Sequence, residues 1–265
     1  KIKKKILVFS FHKINKRNKN INYLYLNNNF ARELFFTFCK CKFFYTTTPD
    51  IGFFIFRKSI NKKIKYIYLQ HSMFSLNAIY NDNSFINFDA VQCISKMQIE
   101  EIKEINNLNK TKIKSFKSKY LFPHKNHNID HKFEILIAPT WYTNFYRQEC
   151  FVKLIDLLNK HKITFKIRRH NMSIKNNELD DKLIKKYNFD FYENEVVNFK
   201  DFNYLISDWS GIIIEYYLIK KKKSFVIDLK QKIRNRNFFY SKKIPTEIMY
   251  RNTFSNNYDV DKIED

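Results

Sequence analysis

The stretch Tyr204-Leu-Ile-Ser-Asp-Trp-Ser-Gly-Ile-Ile-Ile-Glu-Tyr-Tyr-Leu-Ile219, followed by Ser224-Phe-Val-Ile227, decides the fold class. Tyr204–Ile206 reads as a strand, Ile212–Ile219 as an apolar helix, and Ser224–Ile227 as a second strand. Strands alternating with helices in this way call for a parallel α/β sheet. Between the first strand and the helix lies the polar turn Ser207-Asp208-Trp209-Ser210-Gly211. Asp208 or Ser210 has the chemistry to cap the helix. The free backbone N–H groups and positive dipole end then point at the strand terminus, where a phosphate is well held. Gly211 is one of only two glycines and allows a close backbone approach. A plain capped strand–helix turn, with no ligand, reads the same way.

Working outward, the same alternation fills the chain. Upstream, Ile135–Ala138 is a strand ending at Pro139-Thr140, and Glu149–Lys160 is a helix. Thr164–Ile167 is a strand ending at Arg168-Arg169-His170, followed by a helix over Leu179–Tyr187 and a short strand over Phe189–Tyr192. An earlier series starts with a strand at Ile6–Ser10, a helix at Asn29–Cys39 and strands at Phe43–Thr46 and Tyr66–Leu69. The last of these stops at Gln70-His71-Ser72. Ala90–Ile94 is a further strand, and apolar residues at 99, 102 and 105 give its following helix, Met97–Ile105, a helical period. The polar stretch Asn106–Lys132 reads as a linker around a short strand, Tyr120–Phe122. The expected organisation is two parallel α/β domains, 1–125 and 126–265, with the segment after Tyr240 packing back on the first.

Composition narrows the function classes. The 265 residues carry 49 Lys+Arg against 26 Asp+Glu, a net charge of +23, which calls for an anionic partner unless genome-wide bias toward Lys, Asn and Ile accounts for it. With 44% hydrophobic residues the chain can build a core, so full disorder is excluded. Two Gly and four Pro exclude collagen-like architecture. No apolar run reaches the ~18 residues of a membrane span. The basic start Lys1–Lys5 leads into an apolar run too short for a signal core, so no signal peptide is expected. Cys39, Cys41, Cys93 and Cys150 lack zinc-site spacing and read as reduced cytosolic thiols. His124, His127 and His131 have metal-like spacing in polar context, and no metal or cofactor is expected of them. No zinc finger, helix-turn-helix or RNA-binding aromatic signature is present, so no nucleic-acid partner is expected.

In open parallel sheets, ligands bind beyond the carboxyl ends of the strands. Three polar clusters fall there: Gln70–Ser72, Arg168–His170 and Ser207–Gly211. A neutral imidazole at His71 or His170 can take a hydroxyl proton, and a protonated one can hold a phosphate oxygen. Arg168 or Arg169 adds a fork suited to phosphate. Histidines satisfied by loop backbone are the plain alternative.

At these residues the sequence resembles the CDP-glycerol glycerophosphotransferases, which build poly(glycerol phosphate) polymers such as teichoic acids and related capsule polymers. The resemblance runs from about Tyr45 to Asn237. It rests on Thr47-Thr-Pro-Asp50, Tyr66-Ile-Tyr-Leu-Gln-His71, Phe88-Asp-Ala-Val-Gln-Cys-Ile-Ser95, Leu136-Ile-Ala-Pro-Thr-Trp141, Lys166-Ile-Arg-Arg-His170 and Leu205-Ile-Ser-Asp-Trp-Ser-Gly-Ile212 with Glu215. Ser72 stands where Gly is usual, and Arg169 and Asn171 stand where two prolines are usual; both histidines are kept.

The resemblance implies a GT-B-like fold, two Rossmann-like domains facing across a cleft, the first on the acceptor side and the second holding the donor. It implies transfer of glycerol phosphate or a related group from a cytidine-nucleotide donor to a hydroxyl of a glycan or lipid-linked acceptor. His71 would be the general base. His170 with Arg168 would bind donor phosphate and stabilise the leaving nucleotide. Ser207, Asp208, Ser210, Gly211, Pro139 and Thr140 would line the donor site, Asp208 as a structural cap rather than a catalytic acid, and Glu215 would take ribose hydroxyls. A glycosyltransferase using a CMP- or UDP-sugar, and a non-catalytic basic protein binding anionic glycan, membrane or nucleic acid, are the alternatives. The expected location is cytoplasmic, peripheral on the inner face of the plasma membrane.

Overall fold

The computed structural model describes residues 6–10, 21–53, 56–118, 133–192, 197–238 and 244–258. The expected strand at 120–122, the boundary at 125/126, and His12, His124, His127 and His131 lie outside them.

The first half holds β1 (Leu7–Ser10), β2 (Asn22–Tyr25), α1 (Asn29–Phe38), β3 (Phe43–Thr46), β4 (Lys65–Leu69), α2 (Leu76–Ile79), β5 (Ala90–Cys93), α3 (Lys96–Asn109) and β6 (Lys114–Lys117). Strands β3-β4-β5-β6 form a wholly parallel sheet in sequence order. The parallel pair β1–β2 lies beside it, with Phe9 against Phe35, Phe36 and Phe44. Helix α3 starts where Ser95 Oγ accepts the Gln98 N–H and the Gln98 side chain reaches back to the Ile94 N–H. These two bonds satisfy donors that a helix start otherwise leaves orphaned. The apolar stripe at 99, 102 and 105 then faces an aromatic core of Phe44, Tyr66, Tyr68, Phe85 and Phe88.

The second half holds β7 (Phe133–Ile137), α4 (Glu149–Lys160), β8 (Phe165–Ile167), α5 (Asn171–Lys175), α6 (Asp181–Tyr187), β9 (Phe202–Ser207), α7 (Ile212–Lys220), β10 (Ser224–Ile227), α8 (Thr246–Phe254) and β11 (Ser255–Tyr258). Its sheet runs β11-β10-β9-β7-β8, all parallel. The chain leaves β7 toward β8, then crosses back to β9 on the other side of β7. The carboxyl ends of β7 and β9 therefore flank a topological switch point, the place where open α/β sheets form a binding crevice. The expected strand at Phe189–Tyr192 is reduced to a single bridge, Ile167–Phe191.

Two Rossmann-like parallel layers in one chain give the α/β, GT-B-like class expected from the sequence. They are joined by both apolar and polar contacts. Met73 of the first half is buried in the second half's core with Ile212, Ile213 and Ile214. The loop after β10 docks on the first half, where the backbone N–H groups of Arg234 and Asn235 both donate to the Ala78 carbonyl and Asn235 and Asn237 amides hold the two oxygens of Asp82. The terminal segment does touch the first half, since Glu247 of α8 accepts the Ser75 N–H at 3.0 Å. Its strand β11 nevertheless completes the second sheet, and Phe254 stacks on Tyr217 of α7.

Candidate functional site

The switch point is fastened by Asp208. This carboxylate is fully enclosed; its Oδ1 accepts the Thr140 N–H at 2.7 Å and its Oδ2 accepts the Thr143 hydroxyl at 2.5 Å. Burial pushes its pKa up to about 6, against the pull of those two hydrogen bonds and of Lys232 and Arg251. The expectation that Asp208 caps the following helix is therefore corrected: it faces back to the loop after β7. Ser210 Oγ takes up the Ile212 N–H at 3.4 Å instead. Ser207 is likewise enclosed and donates to the Ala138 carbonyl at 2.7 Å, tying β9 to β7.

The loop held by Asp208 is strained. Tyr142 sits at φ 85, a left-handed conformation costly for an aromatic residue, and Glu178 accepts its N–H at 3.2 Å. Pro139 and Thr140, on the same loop, are buried. Thr140 Oγ1 accepts from Lys232 Nζ at 2.8 Å. Burial lowers the Lys232 pKa to about 8, with Asp208 and Glu247 opposing the shift.

His170 follows β8 and joins this cluster. It caps α5: its Nδ1 accepts the Met172 N–H at 3.1 Å, so the neutral ring carries its proton on Nε2. Its ring stacks on Trp141, whose own ring lies near Lys232 Nζ, 4.9 Å away, and the Arg234 guanidinium, 4.7 Å away. Burial, reinforced by Lys232, Arg168 and His71, lowers the His170 pKa to about 4. Without a ligand the ring is therefore neutral near pH 7, and the site offers a neutral Nε2–H donor amid fixed cations. Arg168 bears on His170 electrostatically, whereas Arg169 turns away and covers the Phe191 ring at 3.9 Å.

His71, at the carboxyl end of β4, comes from the other half of the chain. It is exposed and edges against Phe74. Crowding by protein still lowers its pKa below the ordinary histidine value. Once protonated, His71 would oppose a charge on His170, a smaller influence than burial, Lys232 or Arg168. Gln70, beside it, is buried and accepts from Tyr68.

Gly211 permits a close approach within the protein itself. A Cβ there would stand 2.9 Å from Ser72 Oγ and 3.1 Å from the Met73 carbonyl oxygen. The close approach that glycine permits is that of the first half's His71–Met73 segment to the start of α7. Glu215 is half-buried in the first turn of the same helix.

Lys232 and Arg234 join this cluster around Trp141 although no motif marks them in the sequence. A signal existed for the two cations: Asp228-Leu-Lys-Gln-Lys-Ile-Arg234 leaves the carboxyl end of a strand, like the three clusters that were noticed. Among the described residues no group of three His, Cys, Asp or Glu side chains is placed to hold a metal, and no helix is long and apolar enough to cross a membrane.

The chain matches no protein-family description and no curated protein. Among solved structures it is similar to a mutant of S. aureus TarM in complex with fondaparinux, α-GlcNAc-glycerol and UDP. That match has 15% identity over 69% of this chain and 43% of that one, with a TM-score of 0.37. It is also similar to the GtfA/B complex, at 12% identity over 77% of this chain and 43% of that one, with a TM-score of 0.39. The chain spans less than half the length of either structure.

Proposed function

We propose that this chain is a transferase that moves a group from a nucleotide-linked donor to a hydroxyl of a cell-surface glycan or polymer. The observation that carries the reading is that the segment following His71 abuts Gly211, at the switch point of the second sheet where Thr140, Lys232 and, through Trp141, His170 gather. The donor phosphates would lie against the Nε2–H of His170, with Lys232 and Arg168 as the cations that stabilise charge developing on the leaving nucleotide. Ser210 and the backbone near Gly211 would border them. His71, neutral at pH 7 because its pKa is lowered, would take the acceptor's proton as the new bond to the transferred group forms and the bond to the nucleotide breaks.

The resemblance of the sequence to CDP-glycerol glycerophosphotransferases is what favours glycerol phosphate as the transferred group. A sugar from a CMP- or UDP-sugar is the second reading, since these donors share the phosphate that the cationic end would engage. Incubation with CDP-glycerol, CMP-sugars and UDP-sugars, with nucleotide release as readout, tests both. If no donor is turned over and no nucleotide raises the melting temperature, the non-catalytic binding reading replaces this one.

A further inference from the structure

A second cavity, of about 390 Å³, opens where the two halves meet on the side of Met73. This volume is within the range of small-molecule sites. Its walls are mainly apolar and come from both halves, Met73 and Ile94 from the first and Ile214, Leu218 and Phe254 from the second. The Ser95 and Gln98 side chains that also line it are bonded to backbone at the start of α3. Two cations, Lys96 and Lys117, also line it, and no acidic side chain does. The fold places them together. Lys117 is paired in register with Cys93, and Lys96 stands three residues beyond Cys93, as the first residue of α3. The positive end of that 14-residue helix adds to the same side. Both lysines are exposed, so an anion can reach them from solvent, whereas Met73 and Ile214 are buried beneath.

An apolar chamber with cations and no acid calls for an amphipathic anion: a hydrocarbon chain for the walls and a phosphate for the lysines. We propose that this cavity binds the chain and phosphate of a single-chain lipid phosphate. It lies beside the candidate site, because Met73 is two residues from His71 and its backbone abuts Gly211 at the start of α7.

The test uses the whole chain and soluble probes below their micelle concentrations. Calorimetry with octyl, decyl and dodecyl phosphate should show one site per chain. Each buried CH2 should tighten binding about fourfold, equivalent to about 0.8 kcal/mol. Dodecyl phosphate should bind at least tenfold tighter than dodecanol, and inorganic phosphate should compete poorly. Lys96→Gln with Lys117→Gln, both at exposed positions, should erase the preference for phosphate over alcohol and leave dodecanol binding unchanged. Leu218→Glu should weaken every chain length. Equal binding of the phosphate and the alcohol, or a double variant that still prefers phosphate, overturns the proposal. So does association with anionic bilayers alone and not with monomeric dodecyl phosphate. Nucleotide binding, followed in parallel by thermal shift, separates the two readings. Loss of lipid phosphate binding with nucleotide binding intact refutes only this site, and the reverse refutes only the transferase reading.

Discussion

Gly211→Ala is a one-methyl probe of how the two halves meet. The glycine is at φ −61, so alanine adopts its backbone without strain. All of the cost is therefore steric. The new Cβ would stand 2.9 Å from Ser72 Oγ, which can rotate aside, and 3.1 Å from the Met73 carbonyl oxygen, which must move with its backbone. Overpacking of this kind costs about 1–3 kcal/mol. Loss of glycine's freedom in the unfolded chain returns about 0.4–1 kcal/mol. The net destabilisation is then about 1–2 kcal/mol, a fall in melting temperature of about 2–8 °C at about 2–4 °C per kcal/mol for a chain of this size. Scanning calorimetry of the single variants Gly211→Ala and Ser72→Gly, and of the double variant, closes a cycle. The double variant should recover part of the loss, with a coupling of about 0.5–1 kcal/mol, because removing the Ser72 side chain leaves only the Met73 contact. A Gly211→Ala chain as stable as the parent, or strictly additive variants, would show that the His71–Met73 segment does not bear on α7 as described.

Three further outcomes follow from the site. His71→Ala should lower turnover by ~10²–10⁴-fold while nucleotide binding by calorimetry survives, and His170→Ala should weaken both; the opposite pattern reverses their roles. Turnover should hold down to pH values below the ordinary histidine range and fall only in more acidic buffer, since a base with a lowered pKa stays neutral there; a fall centred above pH ~7 would exclude His71 as the base. Thermal stability should decline as pH rises from about 5 to about 8, most steeply above about 6.5, because below that the lowered pKa of His170 works the other way and offsets the similar rise at Asp208. Burial raises Glu101 and Glu247 from the ordinary 4.5 to about 7. The folded state thus binds protons that the unfolded state has released, and the resulting stabilisation is full below the unfolded pKa and lost through the folded one. The pair contributes on the order of a few kcal/mol, and Glu247→Gln should flatten the curve. Stability rising over that interval refutes the assignment.

The parts of this fold that the sequence discloses are those whose burial leaves a pattern in the chain itself. Helices α3 and α4 have a helical period because one side of each is buried. Helix α7 and the central strands β7, β9 and β10 are instead unbroken apolar runs because they are covered on more than one side: Ile135 and Ile137 lie in one core and Leu136 in the other. Strand β6 escaped notice because Lys114-Ser-Phe-Lys117 is an edge: only its pairing with β5 makes it a strand, and its lysines protect it from pairing further. Helix α8 escaped for the opposite reason, since its burial depends on contacts with α7 and Ser75, far away in the chain.

The candidate site divides along the same line. Strand-end rules located His71, Arg168, His170 and the Ser207–Gly211 turn, because a parallel sheet puts every carboxyl end on one rim. The same rules could not say which way a side chain on that rim turns. Asp208 and Arg169 carry the charge that a ligand would want, yet one is enclosed by Thr140 and Thr143 and the other lies over Phe191. Lys232 carries no motif, yet it is the cation that reaches Thr140 and depresses His170. The glycine shows the limit most clearly. Its need for a close neighbour is legible from residue type alone, but the neighbour is Ser72, 139 positions earlier, where the resembling family usually has glycine. The contact needs a small residue on at least one side. In this chain Gly211 supplies it, which leaves Ser72 free to carry a hydroxyl next to His71.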